Sequence, residues 1–93
     1  MLSQLPISLE KVKKEDLDKE ILRLGMIAEL DAVSLYEQLA AMTEKESIKK
    51  VLLDIAKEEK THVGEFEALL LKEDEEQAEE LKEGKKEIEE LTE

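Results

Sequence analysis

From Ile48 onward the apolar positions advance by four and then three residues, through Ile48, Leu52, Ile55, Phe66 and Leu69, with Glu59 and His62 filling two of the steps. That rhythm marks one face of a packed helix, so a carboxylate and the chain's single imidazole stand where core residues belong. An earlier stretch behaves alike. Leu22, Met26, Val33, Tyr36 and Ala40 form a stripe that Glu29 interrupts, and a second stripe runs through Leu17, Ile21, Leu24, Ala28, Leu35, Leu39 and Met42. A helix wet along one whole side would not need both stripes. One can meet a second helix of the same chain, which leaves the other for a neighbouring subunit.

The stripes and their punctuation predict the elements. Residues 1–14 contain the only proline, Pro6, and no clear period, as expected of a mobile lead-in with a helical turn after Ser8. Residues 15–42 carry acids in the first turn and no proline, which predicts one long helix. Thr43-Glu44-Lys45-Glu46 has the form of a capping box, with the Thr43 hydroxyl accepting from the backbone three residues on and Glu46 reaching back. A second helix over 46–72 follows, and so short a connection permits only an antiparallel hairpin. Residues 73–93 are helix-prone but thinly apolar, with Ala78, Leu81, Ile88 and Leu91 as the stripe and Gly84 as an interruption. The expected fold is all-α: one domain, 1–93, made of a two-helix hairpin and a short acidic C-terminal helix.

In such a hairpin, residues equally far from the turn share a level. Glu29 and Glu59 each lie 15 residues from Glu44, and His62 is one helical turn beyond, so the three polar interruptions fall in one layer. A structural reading makes Glu59 and His62, at i and i+3, an ion pair within a satisfied polar network. A metal reading starts from charge: two carboxylates face one imidazole, and burying an unbalanced carboxylate costs on the order of several kcal/mol. A divalent cation restores the balance, and Glu oxygens with a neutral imidazole suit iron, with manganese or zinc able to substitute. Counting ligands then sets the assembly. A di-metal carboxylate site in a four-helix bundle takes a Glu from each of two helices and a Glu-x-x-His from each of the other two, and this chain supplies half of that. Two chains face to face complete it, with two metals per dimer.

Composition narrows the partners. A chain of 93 residues buries a modest fraction of its surface alone, so oligomerisation would help it. Charged residues make up 43% and cysteine is absent, which suits long helices and rules out a disulfide framework. No apolar run approaches the roughly 20 residues needed to span a bilayer, so a soluble, cytoplasmic protein is expected. The net charge of −12 is concentrated in residues 73–93, where eleven acids meet three lysines. Phosphate backbones are repelled by such a chain, and cations are attracted. The acidic run itself reads either as a solvated helix face or as a cation-gathering rim.

At these same residues the sequence resembles a known family. Ala28-Glu29-Leu30-Asp31-Ala32-Val33-Ser34-Leu35-Tyr36, followed by Glu58-Glu59-Lys60-Thr61-His62, is similar to the encapsulated ferritins, and the similarity covers most of 9–81. The resemblance implies a ferritin-like four-helix bundle formed only on dimerisation, dimers arranged in a ring, and a ring housed in an encapsulin nanocompartment. It implies iron ligation by Glu29, Glu59 and His62, with Tyr36 close behind them. The family's outer uptake position meets Ala28, Asp31 and Leu35 here, of which only Asp31 is suited to a cation. The chain also ends without the apolar shell-docking peptide common in the family, which suggests a domain of a longer polypeptide, such as one fused to the shell protein.

The function expected is that of a ferroxidase, turning Fe(II) into Fe(III) for storage in a separate compartment. Two rivals stand beside it. One is another di-metal enzyme, a peroxidase of the rubrerythrin kind or a manganese catalase. The other is a metal-free helical interaction module, in which the three polar residues set specificity.

Overall fold

A computed structural model describes residues 8–93. Three α-helices follow two single 3₁₀ turns over Leu9–Lys11 and Lys14–Asp16: α1, Leu17–Met42; α2, Glu46–Glu73; and α3, Glu75–Thr92. Of the expected lead-in, 1–7 lie outside the described residues, and the 3₁₀ turn over Leu9–Lys11 directly follows Ser8. The long first helix starts at Leu17 rather than at Glu15. Residues 14–16 form the tighter turn that feeds it, and Asp18 and Glu20 supply the acids of its first turn.

The hairpin turn differs from the expected capping box. Thr43 and Lys45 are both extended, and Lys45, not Thr43, is the residue before α2. The Thr43 hydroxyl accepts from the Lys45 N–H at 3.2 Å, two residues on rather than three, and Glu46 pairs with Lys49 at 3.9 Å instead of reaching back. An ST turn has taken the place of the box, because the cap residue sits two positions later than the motif suggests.

That shift resets the register of the hairpin. Glu29 and His62 stand in contact and equally far in sequence from the Lys45–Glu46 bond, as do Gly25 and Phe66. The level is therefore centred there and not on Glu44. His62 is the residue opposite Glu29, and Glu59 is the one a turn nearer the loop.

α1 and α2 pack along their length, with Val33 and Ala40 buried from one helix and Ala56 and Leu70 from the other. Three of these four side chains are Ala or Val, so the buried core contributes little apolar surface. Lys60 bridges to Glu37 across the pair at 3.1 Å, an exposed ion pair that holds register more than it adds stability. Much of the apolar pattern is left uncovered: Leu30, Leu35, Leu39, Val51, Leu53 and Leu69 are all exposed in the single chain. The exposed Ile21, Leu35, Leu39 and Met42 belong to the second stripe of α1, which is thus the uncovered one, whereas Leu30, Val51 and Leu53 belong to no stripe.

Asp74 separates α2 from α3. With φ −137° and ψ 89° it breaks the helix in a single residue, and its side chain then caps α3 by accepting the Gln77 N–H at 3.0 Å. Its other oxygen accepts from Arg23 of α1 at 2.8 Å. Gly84, expected to interrupt the last helix, does not: α3 runs through it for 18 residues. Leu81, Ile88 and Leu91 of α3 remain exposed.

Candidate metal centre

Glu29 comes from the middle of α1, and Glu59 and His62 from one turn of α2. Helical spacing puts the latter two on the same face, and the hairpin register brings Glu29 opposite. His62 Nδ1 lies 3.4 Å from Glu29 Oε2 and 3.5 Å from Glu59 Oε2. One ligand atom from each of the three falls within 4.8 Å of the others, the only such group among the described residues. Periodicity and the antiparallel hairpin together predict this convergence from sequence.

Geometry and satisfaction both bear on what the trio could hold. Metal–ligand bonds of about 2.1 Å place neighbouring ligand atoms roughly 3.0 Å apart and opposing ones about 4.2 Å apart, so separations of 3.4 and 3.5 Å fit around one ion. Glu29 Oε2 is buried and makes no hydrogen bond, and its 3.4 Å approach to His62 Nδ1 is an ion pair only when the imidazole is protonated. A buried carboxylate oxygen without a donor is costly, and a cation is the species that relieves it. The donor set of two carboxylates and an imidazole is that of iron, manganese or zinc.

The centre is open on one side. Glu29 and Glu59 keep 20% and 19% of their side-chain surface, whereas His62 keeps 44%. Beside them lies a cleft of about 280 Å³ lined by Glu29, His62, Glu65, Phe66 and Leu69.

The other residues singled out by sequence are placed differently. Tyr36 is half-buried two helical turns along α1 from Glu29, on the same face. Asp31, two residues from Glu29 and so about 200° around α1, is not among the converging ligands. Two features escaped the sequence reading. Glu65, three residues after His62, shares its cleft, and helical spacing was the available signal. Phe66 fits against Gly25, where a Cβ would come within 2.8 Å of the ring.

Residues 20–93 match the protein family described as Rubrerythrin. The chain belongs to that family of ferritin-like proteins, and its fold and sequence put it with the encapsulated ferritins. It is 57% identical over 95 residues to a ferritin-like-encapsulin shell fusion protein of Pyrococcus furiosus, covering 99% of this chain and 27% of the relative. This chain thus spans about a quarter of that relative's length. The crystal structure of an encapsulated ferritin domain from Pyrococcus furiosus is similar over 99% of this chain and 96% of its own, with 54% identity and a TM-score of 0.84. No helix among the described residues is long and apolar enough to cross a membrane.

Proposed function

We propose that this protein is a ferroxidase whose centre is completed between two subunits, oxidising Fe(II) for storage inside an encapsulin shell. The observation that carries the reading is the buried, unpartnered Oε2 of Glu29 beside Glu59 and His62, in a cleft open to one side. Fe(II) is the substrate. Bound there, each Fe(II) gives up one electron to an oxidant of the dioxygen class, two such electrons with two protons reducing it to hydrogen peroxide and four with four protons to two waters.

The chain's own residues supply three things. Glu29 and Glu59 provide negative charge that favours Fe(III) over Fe(II) and so promotes electron loss. His62 provides a ring nitrogen, Nδ1, that faces both carboxylates, and its ring is partly exposed. The uncovered apolar residues around them give a second chain a surface on which to dock and exclude water.

Half a ligand set per chain requires a dimer, with two irons per pair, and a ring of such dimers is what the resemblance to the encapsulated ferritins implies. A hairpin of two helices encloses no storage cavity, which is why a shell is part of the proposal. The relative fused to a shell protein supports that partnership.

Anaerobic protein given Fe(II) and then air should form ferric product with rapid oxygen consumption, and Glu29→Ala and His62→Ala should fall to the background rate. Metal-dependent removal of hydrogen peroxide without Fe(II) oxidation would instead favour the peroxidase or catalase reading. Variants that disturb assembly while Fe(II) oxidation stays at background in every form would favour the metal-free module.

A further inference from the structure

We infer that Phe66, seated on Gly25, is a positioning residue that fixes how far Glu29 stands from His62, an inference that rests on reading the trio as an iron centre. Gly25 lies inside α1 and has no positive φ, so its backbone would suit alanine, which a helix interior prefers to glycine. What the missing side chain leaves is a seat. A Cβ there would meet three carbons of the Phe66 ring at 2.8–3.0 Å, whereas one at Gly64, also inside a helix, would meet nothing within 4 Å.

The ring lines the same cleft as Glu29 and His62. Phe66 is already half-buried within the single chain, while Leu69 of that cleft is 51% exposed. The seat is thus made inside one protomer, whatever covers the cleft. Gly25 precedes Glu29 by four residues and Phe66 follows His62 by four, so the ring meets α1 one turn, about 5.4 Å, from the level where His62 Nδ1 approaches Glu29 Oε2 at 3.4 Å. A helix is stiff over one turn, and the spacing set at the ring is carried to the ligands. Metal ligands are ordinarily oriented by hydrogen-bonding partners behind them. Glu29 Oε2 makes no hydrogen bond, so its place depends on the spacing of the two helices.

Loss of the ring lets α1 and α2 close or tilt at this level, and a methyl at Gly25 pushes them apart or turns the ring into the cleft. Either change moves Glu29 relative to His62 without touching a ligand atom. Ligand sets hold their geometry only within about 0.5 Å, so such a shift alters how a bound ion is coordinated.

The test is titration of the metal-free protein with Co(II), whose visible ligand-field bands report the number and arrangement of ligands, with circular dichroism of the same samples. Phe66→Leu should change the shape of the bands and lower Co(II) affinity about ten-fold at unchanged helicity. Gly25→Ala keeps the ring and every ligand and should do the same to a smaller degree; it decides the matter alone if Phe66→Leu loses helicity. In the protein carrying both changes the added methyl fills part of the space the ring leaves, so the combined loss should be smaller than the product of the two. Leu69→Ala takes an apolar side chain from the same cleft without disturbing the seat and should leave the band shape unaltered. Unaltered bands in both Phe66→Leu and Gly25→Ala would overturn the inference. So would multiplicative losses in the double variant, or the same change of bands in Leu69→Ala, which would mark the packing of the cleft in general. If the unaltered protein binds no Co(II) at all, the reading of the centre fails first and the inference with it.

Discussion

The ring of Phe66 occupies the space in which a side chain at Gly25 would begin, with Cε1 2.8 Å and Cδ1 3.0 Å from the position of a Cβ there. Gly25 is one helical turn before Glu29 and Phe66 one turn after His62, so this contact sets how closely α1 and α2 approach beside the centre. Nothing lies within 4 Å of a Cβ at Gly64 or Gly84.

Gly25 should therefore respond to alanine differently from Gly64 and Gly84. Gly84→Ala gains helix propensity at no steric cost and should stabilise α3 by about 0.5–1 kcal/mol. At Gly25 the same gain is offset by about 1–3 kcal/mol of overpacking unless the ring swings aside. Gly25→Ala should leave thermal stability unchanged or lower, and Gly25→Leu should lower it clearly. Melting curves at one protomer concentration, with metal removed, give the comparison. A Gly25→Ala protein as stabilised as Gly84→Ala would show that the ring gives way freely.

Glu29 should be a residue that function keeps at the expense of stability. Its Oε2 is buried without a donor, so Glu29→Gln removes a carboxylate charge from a place that does not solvate it. The metal-free variant should be more stable than the parent by about 1 kcal/mol. Its metal affinity should fall by more than the roughly 10–100-fold typical of losing an outer supporting group. Thermal unfolding without metal and Co(II) titration measure the two effects separately.

The attachment of α3 should depend on acid. The Gln77 N–H, helped by the Arg23 guanidinium against the cost of desolvation, holds the Asp74 carboxyl below its ordinary value of 3.8. A carboxyl that ionises more readily in the folded chain contributes stability that is fully present above its ordinary value. That contribution is lost as pH falls through the lowered folded value. Helicity should drop below about pH 4 by up to the 18 residues of α3. Asp74→Asn keeps an acceptor for Gln77 but cannot titrate, so circular dichroism should show a smaller acid-dependent loss in that variant.

Arg23→Ala should loosen the same junction from the other side. It removes the 2.8 Å contact to Asp74 while leaving the Gln77 cap in place. α3 should remain helical yet become a site of faster proteolysis near 73–75, with the hairpin itself intact. Unchanged cleavage there would mean that the cap alone fixes the helix.

Much of this was legible in the chain because a helix face repeats every three to four residues, and a polar residue on an apolar face is conspicuous. Glu29, Glu59 and His62 stood out for that reason, and the shortness of the turn forced them together. The level was misplaced because the extended backbone at Thr43 and Lys45 moves the centre of the hairpin to the Lys45–Glu46 bond, a conformational detail that a capping-box pattern does not carry. Gly84 failed to break α3 because one glycine costs only about 1 kcal/mol, less than the surrounding helix formers and the Asp74 cap supply. The Arg23–Asp74 bond joins residues 51 apart, so no local pattern announces it. Glu65 was passed over because an exposed Glu on a charged helix looks like any solvated position until the cleft beside it is visible.

The most direct test is native mass spectrometry of the metal-free protein before and after anaerobic addition of Fe(II). Shared ligation predicts a shift from monomers towards dimers or their multiples, with two irons per pair of chains and no shift in Glu29→Ala. Iron bound stoichiometrically to isolated monomers, with no movement towards dimer, would contradict it.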